Sequence, residues 1–193
     1  MDEKPCGLIV MIPPALAAEW AEKLAELVAA FKPAALILQS PAGRSADIIA
    51  KAKAFELAVL MAGTVEAAQE AGAAGVYFPN QGAAVSRARA ALGGGGIIGA
   101  SCGLSRHAAM ECAEAGADFV AFDASSPGNM DQAAQLSHWW DEIATVAVAL
   151  LCGEVRPDRA ALGKARPDFL ILEDVFPGES LTFATELGLQ SQS

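Results

Sequence analysis

Four short segments of this chain resemble one another and recur about 40 to 50 residues apart. Each places a small residue or a proline before a run of apolar residues: KPAALIL from residue 32, AGAAGVYF from 71, AGADFVAF from 115 and RPDFLIL from 166. The apolar runs are continuous rather than alternating, which is typical of parallel strands covered on both faces. A repeat of this length accommodates two strand–helix units, so the pattern favours eight such units in succession.

The stretch from Gly94 to Asp123 contains one pair of strands with its connection. A buried strand is followed by a turn with Ser101 and Cys102, a helix over about Leu104–Glu114, and a second buried strand. Gly116 lies where a left-handed helix end is expected. Parallel strands need a crossover connection, and this helix supplies one. We therefore interpret the stretch as a strand–helix–strand unit of a parallel sheet.

The same reasoning along the chain predicts eight strands, each followed by a helix. Outside the stretch just described, the predicted strands are Gly7–Ile12, Ala34–Gln39, Phe55–Met61, Gly75–Phe78, Thr145–Leu151 and Asp168–Leu172. The other predicted helices are Ala15–Phe31, one capped by Ser45 or Asp47 that runs to Lys53, one capped by Thr64 that runs to Ala71, Ala83–Leu92, Gln132–Ile143, Asp158–Ala165 and Glu179–Leu187. Eight units favour a single closed (β/α)8 TIM barrel over residues 1–193. The main alternative is an open doubly wound sheet, which needs neither eight units nor a fourfold repeat.

The composition narrows the classes of partner and compartment. Hydrophobic residues make up 53% of the 193 residues, and the formal net charge is −10. This acidic balance argues against nucleic acid or an anionic membrane as a partner, and no apolar run reaches the roughly 18 to 20 residues of a membrane span. The charged start MDEKPCG predicts no signal peptide, and four cysteines without a Cys-x-x-Cys pair are typical of a reduced, cytoplasmic protein.

Candidate site residues follow from the predicted fold, because barrels of this type keep their chemistry at the carboxyl ends of the strands. The residues predicted there are Gln39 and Arg44 after strand two, Asn80 and Gln81 after strand four, Ser101 after strand five, Asp123, Ser125 and Ser126 after strand six, Gly153 after strand seven, and Glu173 and Asp174 after strand eight. Arg44 is expected to be the only cation at this mouth. Cys102 and Cys152 follow odd-numbered strands, where they either form a reactive pair or are buried thiols.

Three segments carry a resemblance to a known family: GVYFPNQ from residue 75, GGIIGASC from 95 and EAGADFVAFD from 114. They resemble the middle of the thiamine phosphate synthase/TenI family, most clearly over residues 55–123. The resemblance implies a (β/α)8 barrel, a phosphorylated heterocycle as ligand, and a Mg²⁺-assisted transfer that joins a pyrimidine pyrophosphate to a thiazole phosphate. TenI-type relatives instead isomerise the thiazole with a histidine, whereas His107 and His138 both fall in predicted helices away from the mouth.

Carried over residue by residue, the resemblance is incomplete. Gln39 matches a glutamine of the family, Ser101 matches a serine after strand five, and Gly153 matches a glycine whose backbone N–H binds phosphate. Pro41 and Gly43 stand where the family has the two bases that hold pyrophosphate. The carboxylates that the family uses for Mg²⁺ are also absent, because those positions are occupied in this chain by Ala62-Gly63 and Asn80-Gln81-Gly82.

Acidic residues stand where a phosphate would be expected. Glu173 and Asp174 would place negative charge beside Gly153, so they either favour a cationic ligand or form a solvated rim. Asp123 is either a general acid–base or metal ligand, or an aspartate that caps its own loop. Ser125 and the neighbouring Ser126 can hydrogen-bond a ligand, although they do not reproduce the Thr-x-Thr-Lys loop of the family.

Two functional hypotheses of different class remain. The first is a family enzyme that acts on thiazole-type or pyrimidine-type phosphates with a reduced site. The second is a family member that has lost this chemistry and binds another small ligand or acts as a non-catalytic partner; the missing charged residues favour it. A sugar-phosphate epimerase barrel is a distant third. Trp139 and Trp140 cannot face the same way on a helix, so we expect one to pack on the barrel and the other to lie in a homodimer contact or at the surface.

Overall fold

Eight parallel strands close into a barrel in the computed structural model, which describes residues 5–39, 42–79 and 82–173. The strands are Gly7–Ile12 (β1), Ala35–Leu38 (β2), Ala58–Ala62 (β3), Gly75–Pro79 (β4), Ile97–Ser101 (β5), Phe119–Asp123 (β6), Ala147–Gly153 (β7) and Phe169–Glu173 (β8). Their order around the barrel follows the chain, and β8 pairs with β1 in parallel to close it. The predicted (β/α)8 barrel is confirmed, and the alternative of an open doubly wound sheet is wrong.

Helices follow the strands on the outside of the barrel. In the described residues they are Ala17–Phe31 (α1), Ala42–Ala54 (α2), Val65–Ala71 (α3), Gly82–Leu92 (α4), Arg106–Glu114 (α5), Met130–Ile143 (α6) and Arg159–Ala165 (α7), with short 3₁₀ turns at Pro14–Leu16 and Gly93–Gly95. The predicted helix Glu179–Leu187 lies outside the described residues. Thr64 caps α3 as predicted, since its Oγ1 accepts a hydrogen bond from the backbone N–H of Ala67 at 3.2 Å.

Three predicted boundaries are wrong for identifiable reasons. Helix α2 begins at Ala42, so Ser45 is a fully buried residue inside the helix and neither it nor Asp47 caps the first turn. Strand β3 begins at Ala58 rather than Phe55, because Glu56 adopts a φ of +54° in the turn that ends α2. Strand β7 continues to Gly153 rather than ending at Leu151. A register shift between Leu151 and Gly153 forms a β-bulge, which changes the direction of the strand.

The fourfold sequence repeat has a counterpart in the backbone. The residue before each even-numbered strand donates its backbone N–H to the carbonyl oxygen of the second residue of the preceding odd-numbered strand. These bonds are Ala34 to Leu8 (2.7 Å), Ala74 to Val59 (2.8 Å), Asp118 to Ile98 (2.8 Å) and Asp168 to Val148 (2.8 Å). In the last two cases the aspartate carboxylate also accepts the N–H of the same partner residue, at 2.7 and 2.8 Å. The repeat is therefore structural, and its two aspartates fix the starts of β5 and β7 beside the strands that follow them.

Alternate residues of each strand fill the interior of the barrel, and the others pack under the helices. Three aromatic rings contact one another in this interior: Tyr77 stacks on Phe119 with 6.1 Å between ring centroids, and Phe119 meets Phe169 edge-on at 6.3 Å. Gly99 makes room for this column, because a Cβ there would overlap the Phe119 ring. The interior of the barrel is therefore a packed core.

Candidate functional site

Four of the predicted site residues meet at the carboxyl ends of the strands. The alternation that places Ile37, Ala121 and Ile171 in the interior continues to Gln39, Asp123 and Glu173 one layer higher. Gln39 Nε2 lies 3.0 Å from the sulfur of Met11, and Met11 is the register partner of Glu173 on the neighbouring strand. Ser101, Asp123 and Glu173 surround the phenol of Tyr77, which rises from the layer below. We call Gln39, Tyr77, Ser101, Asp123 and Glu173 the mouth cluster.

Tyr77 is the member of the mouth cluster that sequence reasoning missed. Its side chain is 3% exposed, and its hydroxyl lies beside that of Ser101 without a hydrogen bond of normal geometry to any described residue. Burial raises the pKa of the phenol far above its usual value, and the nearby charges of Asp123 and Glu173 add to that rise. The phenol is therefore a permanent hydrogen-bond donor. Strand alternation from Gly75 placed Tyr77 inside, but only the structure shows its hydroxyl unpartnered.

The titration of Tyr77 can be measured directly, because it is the only tyrosine in the sequence. An exposed phenol ionises near pH 10, and we expect the native protein to show no tyrosinate absorbance there, whereas the denatured protein does. Between the pKa values of the unfolded and folded states the unfolded chain binds fewer protons, so the free energy of unfolding falls as pH rises above about 10. Tyr77→Phe should remove this part of the pH dependence. Tyrosinate absorbance near pH 10 in the native protein would contradict the buried phenol.

Asp123 organises its own loop. Its Oδ1 accepts hydrogen bonds from the backbone N–H of Ser125 at 2.9 Å and from the Ser125 hydroxyl at 2.6 Å. This geometry supports the interpretation of a capped loop aspartate, although the residue also faces the phenol of Tyr77. Ser126 is exposed in the turn that leads to α6, where its carbonyl accepts the N–H of Asn129.

A pocket of about 310 Å³ opens beside the mouth cluster, lined by Ser125, Leu151, Gly153, Glu154 and Glu173. Gly153 has a φ of +57°, and a Cβ at this position would lie 3.4 Å from the Cβ of Ser125. Two of the five lining residues are carboxylates and one presents an apolar side chain. The pocket therefore joins the ends of β6, β7 and β8, and its described lining includes two carboxylates and no cation.

Arg156 overturns the prediction that Arg44 is the only cation at the mouth. The Arg156 guanidinium donates to the carbonyl oxygen of Gly153 at 3.1 Å and to that of Glu173 at 3.5 Å, so it bridges the ends of β7 and β8. Sequence reasoning missed it because it lies three residues beyond the end of its strand. Arg44 falls in the first turn of α2. The predicted site residues Asn80, Gln81 and Asp174 lie outside the described residues.

The Mg²⁺ that the family resemblance implies does not fit the residues present. Strand β3 ends in Ala62, followed by Gly63, so it offers no carboxylate. Within residues 5–39, 42–79 and 82–173, no group of three His, Cys, Asp or Glu side chains is arranged to hold a metal ion. Hard cations of this kind need carboxylate and phosphate oxygens. We therefore derive no chemistry through Mg²⁺.

The cysteines are buried thiols, as the second interpretation of Cys102 and Cys152 predicted. Cys102 is 2% exposed, and the adjacent Cys112 thiol together with burial raises its pKa. Cys152 is fully buried, which raises the pKa of its thiol to about 12, and its neighbouring thiol is Cys6. Each thiol has a different neighbour, so the suggested reactive pair on one rim is wrong, and both side chains are poor nucleophiles.

The histidines and tryptophans lie on the outer helices. His107 on α5 and His138 on α6 are exposed on surfaces away from the mouth. Trp140 packs on the barrel, where its Nε1 donates to the carbonyl of Val146 at 2.8 Å, while Trp139 is half-buried beneath the Arg106 guanidinium at 4.5 Å.

No described helix has both the length and the apolar character to cross a membrane.

Comparison with known proteins identifies relatives of this chain. The family model described as thiamine monophosphate synthase matches residues 39–151. The thiamine-phosphate synthase of Hyphomonas neptunium is 34% identical over 130 residues, which cover 65% of this chain and 59% of that protein. The thiamine-phosphate synthase of Erythrobacter litoralis is 33% identical over 125 residues, covering 61% and 58%. The match thus spans less than two thirds of these relatives.

Solved structures share the barrel at lower sequence identity. Thiamine phosphate pyrophosphorylase from Pyrococcus furiosus superimposes with a TM-score of 0.71 at 16% identity, over 96% of this chain and 95% of that one. A mutant tryptophan synthase alpha-subunit from the same organism superimposes with a TM-score of 0.69 at 12% identity, over 96% and 99%. These likenesses show the fold alone, because proteins named for different reactions match almost equally well.

Proposed function

The chain belongs to the thiamine monophosphate synthase family, and from that premise we propose that its barrel binds a small ligand at the mouth without carrying out the synthase reaction. The site consists of the mouth cluster and the pocket beside Gly153. Ser101 and Gly153 remain where the family has site residues, whereas the residues for pyrophosphate and Mg²⁺ do not. The proposed role is that of a repurposed family barrel.

The charge of the mouth is the observation that carries this proposal. Transfer reactions with a pyrophosphate leaving group need cations where negative charge builds up. Here Glu154 and Glu173 line the pocket, and Asp123 lies beside it. The one guanidinium found there among the described residues, that of Arg156, already donates to two backbone carbonyls. Like charges in a partly desolvated pocket would oppose a pyrophosphate.

One observation favours the second candidate, a surviving synthase. The Arg156 guanidinium lies 3.1 Å from the carbonyl of Gly153, the glycine that the resemblance assigns to phosphate. A rearrangement of this side chain would bring a cation to an incoming phosphate. This candidate therefore depends on Arg156 together with Ser101.

The deciding experiment measures thiamine phosphate formation by the full chain from the pyrimidine pyrophosphate and the thiazole phosphate with Mg²⁺. We expect a rate at least about a thousandfold below that of a working synthase, because more than one charge-stabilising group is missing. The Hyphomonas neptunium relative, assayed in parallel, is the positive control. Turnover that disappears in both Ser101→Ala and Arg156→Ala would establish the synthase instead and overturn the proposal.

A further inference from the structure

We infer that the mouth selects a small organic cation, an amine or an amidinium, and that the Tyr77 hydroxyl contacts this ligand. The inference rests on the proposed function and names the ligand class for the same site. It departs from the anionic, phosphorylated ligands that the family resemblance implies. Two independent observations carry it: the charge of the pocket and the unpartnered hydroxyl of Tyr77.

The pocket is lined by carboxylate and apolar side chains, which are the groups that bind an organic cation. Glu173 is half-buried and Glu154 is exposed, and both residues line a space of about 310 Å³. Leu151 provides an apolar wall for the body of a ligand. Hydrogen bonds from a cationic donor to a carboxylate are about twice as strong as neutral ones. An anion would instead meet two carboxylates, and a neutral ligand would leave them unpaired.

The unpartnered hydroxyl points to a ligand independently of the charges. Tyr77 is 3% exposed, and its hydroxyl lies beside that of Ser101 without a hydrogen bond of normal geometry to any described residue. A buried polar group without a partner is rare in folded proteins, and a group that arrives with a ligand accounts for it. The phenol of Tyr77 lies close enough to Ser101, Asp123 and Glu173 for these residues to affect its pKa, and Glu173 is also a lining residue of the pocket.

The hydrogen-bonding capacity of the mouth cluster defines the ligand further. The Tyr77 phenol can donate to an acceptor atom, while Glu173 and Asp123 accept from donors. Ser125 uses Oδ1 of Asp123, and a carboxylate has acceptor capacity beyond two such bonds. A ligand that fits this set has several N–H donors on a positive group and one acceptor atom close by.

The test uses three aromatic probes of nearly equal shape and different charge: benzamidine as the cation, benzamide as the neutral form and benzoate as the anion. Titration calorimetry on the full chain should show benzamidine binding at least about tenfold more tightly than benzamide, as expected for a charge-assisted contact. Benzoate and inorganic phosphate should show no binding. Thermal unfolding should give the same order of stabilisation.

Variants separate a specific site from general attraction to an acidic protein. Glu173→Gln should weaken benzamidine binding about tenfold or more, because it removes the charge-assisted contact. Glu70→Gln, at an exposed position on α3, makes the same change in net charge and should leave the affinity unchanged. Tyr77→Phe should weaken binding several-fold and at the same time raise the melting temperature by about 2 to 4 °C, because an unsatisfied buried hydroxyl is removed. A purely structural tyrosine would not show this combination.

Several results would overturn the inference. They are no binding of benzamidine at millimolar concentration, equal affinity for benzamidine and benzamide, equal weakening by Glu173→Gln and Glu70→Gln, and unchanged affinity in Tyr77→Phe. Binding of phosphate without thiamine phosphate formation would overturn the cationic ligand and leave the proposed function standing. Thiamine phosphate formation would overturn the proposed function itself.

Discussion

Gly75→Ala is expected to remove most of the stability of this barrel. Gly75 begins β4, where it pairs with Ile97 of β5 and Leu60 of β3. A Cβ at this position would overlap the carbonyl group of Ile97 and come within 2.8 Å of its backbone nitrogen. Backbone atoms of a closed barrel cannot yield as the end of a flexible side chain can. We expect a loss of at least about 4 kcal/mol, a large part of the roughly 5 to 15 kcal/mol of a typical domain.

Chemical denaturation and the yield of soluble protein measure this effect. Gly94→Ala is the matched control, since a Cβ there would meet no atom within 4 Å. That substitution should change the free energy of unfolding by less than about 0.5 kcal/mol. A Gly75→Ala variant as stable as Gly94→Ala would show that β4 and β5 can separate without breaking the barrel, contrary to the geometry described above.

Arg89→Ala is expected to destabilise the end of the barrel opposite the mouth by about 2 to 4 kcal/mol. The Arg89 guanidinium donates to the carbonyls of Gly93, Gly96 and Gly116 at 2.7 to 3.0 Å and to the Asp118 carboxylate at 2.6 Å. It therefore ties the end of α4 to the loops before β5 and β6. Asp118 is half-exposed, so its ion pair adds little by itself. The main loss comes from carbonyls left without their charged donor.

The control for this prediction is Arg87→Ala, an exposed arginine on the same helix. It should cost less than about 0.5 kcal/mol, and Arg89→Lys should lie between the two because one ammonium cannot reach every carbonyl. Equal stabilities of the Arg87 and Arg89 variants in urea would contradict the account. Affinity for benzamidine should be unchanged in folded Arg89→Ala, because Arg89 acts at the far end from the pocket.

The proposed divergence of the site from its family has a simple electrostatic form. A barrel of this type can keep its strands and its mouth while the charges at the strand ends change, because those side chains contribute little to the packed interior. In the proposed site, Ser101 and Gly153 are the residues that match the family resemblance, while Glu154 and Glu173 line the pocket. The proposed exchange of an anionic ligand for a cationic one therefore requires changes at the strand ends and none in the core.

The fold could be predicted from sequence because two physical signals agree. Buried parallel strands must be apolar along their whole length, and the segments between them are long enough for the crossover helices that parallel strands need. Boundaries were less certain where tertiary burial competes with local preference. Ser45 has a side chain suited to a helix cap, yet it is fully buried within α2. Glu56 was predicted to lie in a strand that begins at Phe55, but its positive φ places it in a turn, and the strand begins three residues later, at Ala58.

The sequence by itself determined the closed barrel and the set of residues that follow the carboxyl ends of its strands, because both follow from the fourfold repeat and the strand order. Only the tertiary structure decided which groups are satisfied. In the structure, the Asp123 carboxylate accepts hydrogen bonds from its own loop, and Arg156 donates to carbonyls of β7 and β8. The Tyr77 hydroxyl makes no hydrogen bond of normal geometry to a described residue. These outcomes depend on contacts between segments that are far apart in the chain. A local sequence pattern does not predict the distances between such segments.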